Sequence, residues 1–191
     1  MPQVIINQAG LSLGEIQAID NLFYRYNIEE NEIEPDYEYA SVLEIEFIKD
    51  SKRPFFEFIP MDKWSTLIEI IKNAKKRRGK KGLKFKSTIT EIYNLKNSAY
   101  DESPFLKKTV FLLNHKDDMD FNKGLERIEI AIENTVEINE LQNPQKPKQK
   151  KDTEGSKNLN EGKLANSETN ILVLVFDETK RRWTKSIDKT H

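Results

Sequence analysis

The sequence predicts an α+β protein, a mainly antiparallel sheet with helices on one face, from three observations. Alternation of apolar and polar residues marks strands at Leu43–Phe47 and Leu83–Lys86. Apolar stripes at helical spacing mark three helices. A six-residue run, Ile171–Phe176, is too apolar for a free tail and far short of the roughly 20 residues a membrane helix needs. It should therefore insert into the sheet.

Val4-Ile5-Ile6 reads as a short first strand. Ser12-Leu13-Gly14-Glu15 has the spacing of a capping box, the Ser12 hydroxyl accepting from the amide three residues on while Glu15 reaches back. Ile16, Ile19, Leu22, Phe23 and Tyr26 follow at helical spacing and predict a helix over about 13–26. The acidic stretch Glu29–Asp36, broken by Pro35, reads as a connection.

Leu43, Ile45 and Phe47 alternate with Glu44 and Glu46. Asp50–Arg53 then makes a polar turn, and Pro54–Pro60 is expected to return as the second strand of a hairpin. Asp62 is placed to cap a helix with Trp64, Leu67, Ile68, Ile71 and Ala74 on one face, which Gly79 and Gly82 stop. In the next strand the alternation slips between Ile89 and Ile92, which predicts a bulge.

Residues 94–104 read as polar loop, and Thr109–Leu113 as a strand buried on both faces, hence central. Asp117, Asp118 or Asp120 can cap the longest helix, about 120–141, with Phe121, Leu125, Ile128, Ile132 and Val136 as its stripe. Gly124 inside it carries a penalty of about 1 kcal/mol.

Three regions follow: a core domain over 1–141, a low-complexity linker over 142–169 with the composition of disordered chain, and a C-terminal strand or hairpin over 170–191 that completes the core. Trp183–Ile187 would be the hairpin partner of Ile171–Phe176. The first six elements have the β-α-β-β-α-β order of a ferredoxin-like unit, which is the expectation for the start of the fold.

Of the 191 residues, 37% are hydrophobic and 33% charged, which fits a packed domain with unpacked chain attached. Absence of Cys excludes disulfides, thiol nucleophiles and Cys-ligated metals. Met1–Asn7 lacks the basic and apolar regions of a signal peptide, so a cytoplasmic location away from membranes is expected. Neither a Gly-x-Gly-x-x-Gly or Walker loop nor a Gly-x-Ser-x-Gly elbow occurs. The chain therefore reads as a protein without catalytic function, cofactor or metal.

Charge is segregated. Residues 1–62 carry thirteen acidic and four basic side chains, residues 63–116 fourteen basic and four acidic, and residues 117–141 eight acidic and two basic. Such blocks either pair within the fold or present opposite fields to partners. The densest basic segment is Lys75, Lys76, Arg77, Arg78, Lys80, Lys81, Lys84 and Lys86, eight cations in twelve residues. A cluster of this kind attracts phosphate backbones through counterion release. It equally complements a helix C-terminus or answers the acidic blocks. Alternation turns Phe85 inward, opposite Lys84 and Lys86, so no stacking platform is evident in this segment.

Three further features carry chemistry. Glu126, Glu129, Glu133, Glu137 and Glu140 line one helical stripe, which reads as a solvent face or the counterpart of a cationic partner. His115, Asp117, Asp118 and Asp120 gather oxygen and nitrogen donors at a helix start, where acids are also ordinary caps. Glu178 and Lys180 have the Glu-x-Lys spacing of metal-dependent nucleases, whose further acid could come from Glu44, Glu46 or Glu57.

The expectation is a non-enzymatic intracellular binding or regulatory protein acting through segregated charged surfaces, with a protein partner or a second copy of itself. The alternative is a nucleic-acid-binding protein using the basic loop 75–86, and the third reading is a metal-dependent nuclease.

Overall fold

Val4 and Ile6 of the first strand stand opposite Phe47 and Ile45 of the third, and this antiparallel pair sits inside a seven-stranded sheet. The computed structural model describes residues 3–93, 105–141 and 169–186, with the backbone alone over 135–141. In chain order its elements are β1 (Gln3–Ala9), α1 (Leu13–Phe23), β2 (Asn27–Glu32), β3 (Ser41–Asp50), α2 (Phe55–Phe58) and α3 (Met61–Arg77), then a 3-10 turn over Gly79–Lys81. They continue with β4 (Leu83–Tyr93), β5 (Phe105–Leu113), α4 (Asp118–Glu126), α5 (Ile128–Leu141), β6 (Thr169–Asp177) and β7 (Arg182–Lys185). The expected loop over 94–104 and the expected linker over 142–169 lie outside the described residues, except Thr169, which begins β6.

The sheet order is β2-β1-β3-β4-β5-β6-β7, and the class is α+β as the pattern predicts. The sheet is mixed, not mainly antiparallel: β1–β2, β3–β4 and β5–β6 are parallel, and β1–β3, β4–β5 and β6–β7 antiparallel. Each parallel pair joins sheet neighbours through a helical crossover, whereas a ferredoxin-like unit splits its βαβ pairs with an intervening strand. Element order does not fix which strands become neighbours.

Every described helix packs on one face. Val4, Ile6, Leu43, Ile45, Phe47, Phe85, Phe111, Leu113, Leu174 and Phe176 from the strands share a single core with Phe23, Trp64, Leu67, Ile71, Phe121, Leu125 and Ile128 from the helices.

Two segments differ from their reading. Glu29–Glu32 belongs to a strand, because pairing with β1 supplies what a run of glutamates lacks in β propensity. Pro54–Pro60 does not return as a strand. Pro54 starts the short helix α2, which buries Phe55 and Phe58, three residues apart on one helical face. Spacing three sets the two rings on one face of a helix turn but on opposite faces of a strand.

Smaller corrections follow the same logic. Pro60, not Asp62, precedes α3, and Asp62 sits in its first turn. The register of β4 with both neighbours is continuous through Ile92, so the slip in alternation produces no bulge. Thr109, Phe111 and Leu113 are buried, but Val110 and Leu112 are half-buried, since no described helix covers the opposite face. The long helix breaks at Arg127 into α4 and α5.

Candidate functional site at the basic end of the sheet

β1, β5 and β6 finish, and β3 and β4 begin, at one end of the sheet, where the basic segment lies. The structure divides its eight cations into two sets.

The first set is engaged inside the fold. Lys75, 1% exposed, donates to Lys116 O at 2.7 Å and to Asp118 Oδ1 at 2.6 Å. Gly82, beside this ammonium, sits at φ +75°, a backbone conformation that favours glycine. Arg78 meets Glu15 at two points and also donates to Ser41 Oγ, Gly10 O and Ala74 O. Glu15 in turn accepts from Ser12 N at 2.8 Å, the backward reach of the capping box. Burial pushes the Glu15 carboxyl up, but Arg78 and Ser12 outweigh it and hold it at about 2.

Arg77 touches Glu15 at 3.2 Å from an exposed position. Lys84 pairs with Asp36 and Lys86 with Glu44 on the sheet face away from the helices, with Phe85 buried opposite them. Each hydrogen-bonded partner favours the charged form of the other: Asp36 is held below the carboxylate range by Lys84, and Lys84 above the lysine range by Asp36.

The second set is Lys76, Lys80 and Lys81, exposed and without an ion pair among the described residues. Against Lys84 and Lys116 the fold places an aromatic ring that comes from another segment. Ala40 N donates to Gly82 O at 3.0 Å, tying the 36–40 turn to the basic loop. The Tyr39 hydroxyl donates to Asn114 O at 2.9 Å, and Lys84 and Lys116 lie 5.8 and 5.3 Å from its ring centroid. Tyr37, 90% exposed, stands free of the surface. Sequence inspection of 75–86 missed Tyr37, Tyr39 and Lys116, because they come from other segments. The one signal was aromatic residues in a short polar turn.

The remaining candidates disperse. Asp117 caps α4 by accepting from Met119 N and Asp120 N, while Asp118 serves Lys75. His115 stacks edge-on against Phe176, its Nε2 4.0 Å from Glu178. Lys180 pairs with Asp177 inside the β6–β7 turn at 3.2 Å. The acids nominated to join it are placed elsewhere. Glu44 pairs with Lys86, Glu46 accepts from Thr90 and Lys108, and Glu57 lies in α2. Among the described residues no three His, Asp or Glu side chains stand close enough to share a metal ion.

Of the glutamate stripe, Glu126 pairs with Lys72, and the side chains of Glu137 and Glu140 lie outside the described residues. A cleft of about 160 Å³ is lined by Lys72, Asn73, Lys75, Lys76, Asp118 and Asn122. That is below the roughly 300–1,000 Å³ of small-molecule sites. No described helix is long and apolar enough to cross a membrane. Compared with protein-family models, curated proteins and solved structures, the chain matches none.

Proposed function

We propose that this chain is a non-enzymatic binding protein that meets a protein partner through charged surface. The observation that carries the reading is the division of the basic segment. Five of its cations are engaged with Glu15, Asp36, Glu44 and Asp118, while Lys76, Lys80 and Lys81 remain as an exposed set of one sign. Glu15, Asp36, Glu44 and Asp118 are tied into structural pairs, and the cleft beside Lys75 is small. Fields of this kind steer a complementary partner and fix its register.

A second reading, nucleic-acid binding, is favoured by the exposed Tyr37 and by Tyr39, whose ring lies against Lys84 and Lys116. Base stacking on aromatic rings combined with phosphate neutralisation is how single strands are held without sequence preference. The nuclease reading gains nothing from Lys180, which is occupied by Asp177.

Fluorescence anisotropy of labelled polyglutamate and of a single-stranded RNA of similar charge, at about 50 and 300 mM salt, tests both. Binding of polyglutamate that weakens with salt and is lost in Lys76→Gln/Lys80→Gln/Lys81→Gln supports the first. RNA bound more tightly than polyglutamate, and weakened by Tyr39→Ala, supports the second. Absence of binding to either polymer at low salt sinks both uses of this surface.

A further inference from the structure

The two outer strands of the sheet carry opposite charge. β2 and the residues after it contribute Glu29, Glu30, Glu32 and Glu34 and no cation. None of these four makes an ion pair among the described residues; Glu29 accepts only from the amides of Gln3 and Asn31. At the far edge, β7 contributes Arg182 and Lys185 and no acid, again without an ion pair among the described residues, and the turn before it adds Arg181 and Lys180 against one acid, Glu178. Five strands separate the two edges, so the sets cannot neutralise each other within one molecule.

Both edges offer main-chain groups. Ser186 N donates to Val173 O at 2.9 Å, so alternation along β7 turns the amides of Trp183 and Lys185 outward. Ile33 N donates to Gln8 O at 3.0 Å, so alternation along β2 turns those of Ile28, Glu30 and Glu32 outward. Among the described residues no element pairs with either outer edge. The strands also have compatible direction. β2 runs with β1, and β7 runs opposite to it through the chain of pairings, so a copy shifted along the sheet brings its β7 antiparallel to β2.

Charged edges commonly serve to keep sheets apart. Equal charge on both edges would do so against every contact. Opposite charge repels β2 from β2 and β7 from β7 but attracts β2 to β7. We propose that the chain self-associates head to tail, β7 of one copy adding to β2 of the next as a continued sheet, with Arg182 and Lys185 against the glutamates of β2. This rests on the reading of the chain as a binding protein and names a second copy as the partner. A contact between unlike patches is heterologous, so the assembly is open-ended unless its rotation closes a ring. A ladder on a four-residue strand is short, which places the affinity at about 10 µM to 1 mM.

Sedimentation velocity of the full chain over about 10 µM to 1 mM at low salt reads the association, and salt above about 0.5 M should reverse it. Two variants reverse one edge each, Glu29→Lys/Glu30→Lys/Glu32→Lys and Arg182→Glu/Lys185→Glu. Each alone has two edges of one sign and should stay monomeric. Their equimolar mixture restores complementarity at every junction and should assemble again. Should a multiple variant fail to fold by circular dichroism, Glu30→Lys and Lys185→Glu, both at exposed positions, each weaken one edge, and each alone should associate less than wild type. The proposal is overturned by a wild-type monomer through 1 mM, by association of either variant alone, or by a mixture that stays monomeric. These variants leave Lys76, Lys80 and Lys81 intact, so a wild-type chain that stays monomeric while polyglutamate or RNA binding is seen rejects the head-to-tail contact without touching the basic surface.

Discussion

Arg78 and Glu15, 63 residues apart in the chain, meet in a two-point ion pair, Nη1 on Oε1 and Nη2 on Oε2, each at 2.5 Å. The pair fastens the end of α3 to the start of α1, and Ser41 Oγ and Gly10 O fill the remaining space around the guanidinium. Glu15 is 3% exposed, so neither charge has water to fall back on if the other is removed.

Glu15→Gln should therefore cost about 3–5 kcal/mol in urea unfolding at pH 7, because it leaves Arg78 uncompensated. The acid side of the stability profile gives a second check. The carboxyl titrates at about 2 in the fold against its ordinary 4.5, so its contribution is complete above 4.5 and is lost as pH falls from there toward 2. The gap between wild type and Glu15→Gln should close across that window. A gap that stays constant from pH 5 to 2 would show that the pair does not hold the proton off Glu15.

The cations of the basic segment should separate by position. Lys80→Gln and Lys81→Gln remove exposed charges with no ion pair among the described residues, and each should change stability by less than about 0.5 kcal/mol. Arg78→Gln strands Glu15 and should cost at least about 3 kcal/mol. Thermal melts of the three single variants check this.

Gly124 is where α4 touches the sheet. A Cβ there would come within 2.5 Å of Leu113 Cδ1 and 3.1 Å of Phe176 Cγ, and Gly124 O accepts from Trp183 Nε1 at 3.2 Å. Gly124→Ala should thus destabilise by about 1–3 kcal/mol through overpacking, although alanine is the better helix former. In a Leu113→Ala background the same change should cost less. Equal cost in both backgrounds would mean that the helix shifts freely.

Ending the chain at residue 168 removes β6 and β7. β5 would lose its parallel neighbour, and Phe111 would lose Trp183, whose ring centroid lies 5.3 Å away. The truncated chain should aggregate or elute as an expanded species in size-exclusion chromatography. A monomeric, fully folded product would show that β6 and β7 are accessory.

The signals that local sequence carried were those a few neighbours can set. Ser12 and Glu15 marked the start of α1, the stripe from Trp64 to Ala74 marked α3, and Ile171–Phe176 marked a strand that must enter the sheet. Each rests on periodicity or capping, which act within one or two turns of chain.

Partnership across the chain was decided by tertiary structure alone. Glu29–Glu32 has the composition of a loop and becomes a strand because β1 offers it a ladder. Gly124 looks like a fault in a helix until Leu113 and Phe176 close over it. The eight cations look alike in sequence, yet Lys75 and Arg78 are buried pairs while Lys80 and Lys81 face water. Burial sets what a charge is worth, and burial depends on neighbours that the fold brings together from distant positions.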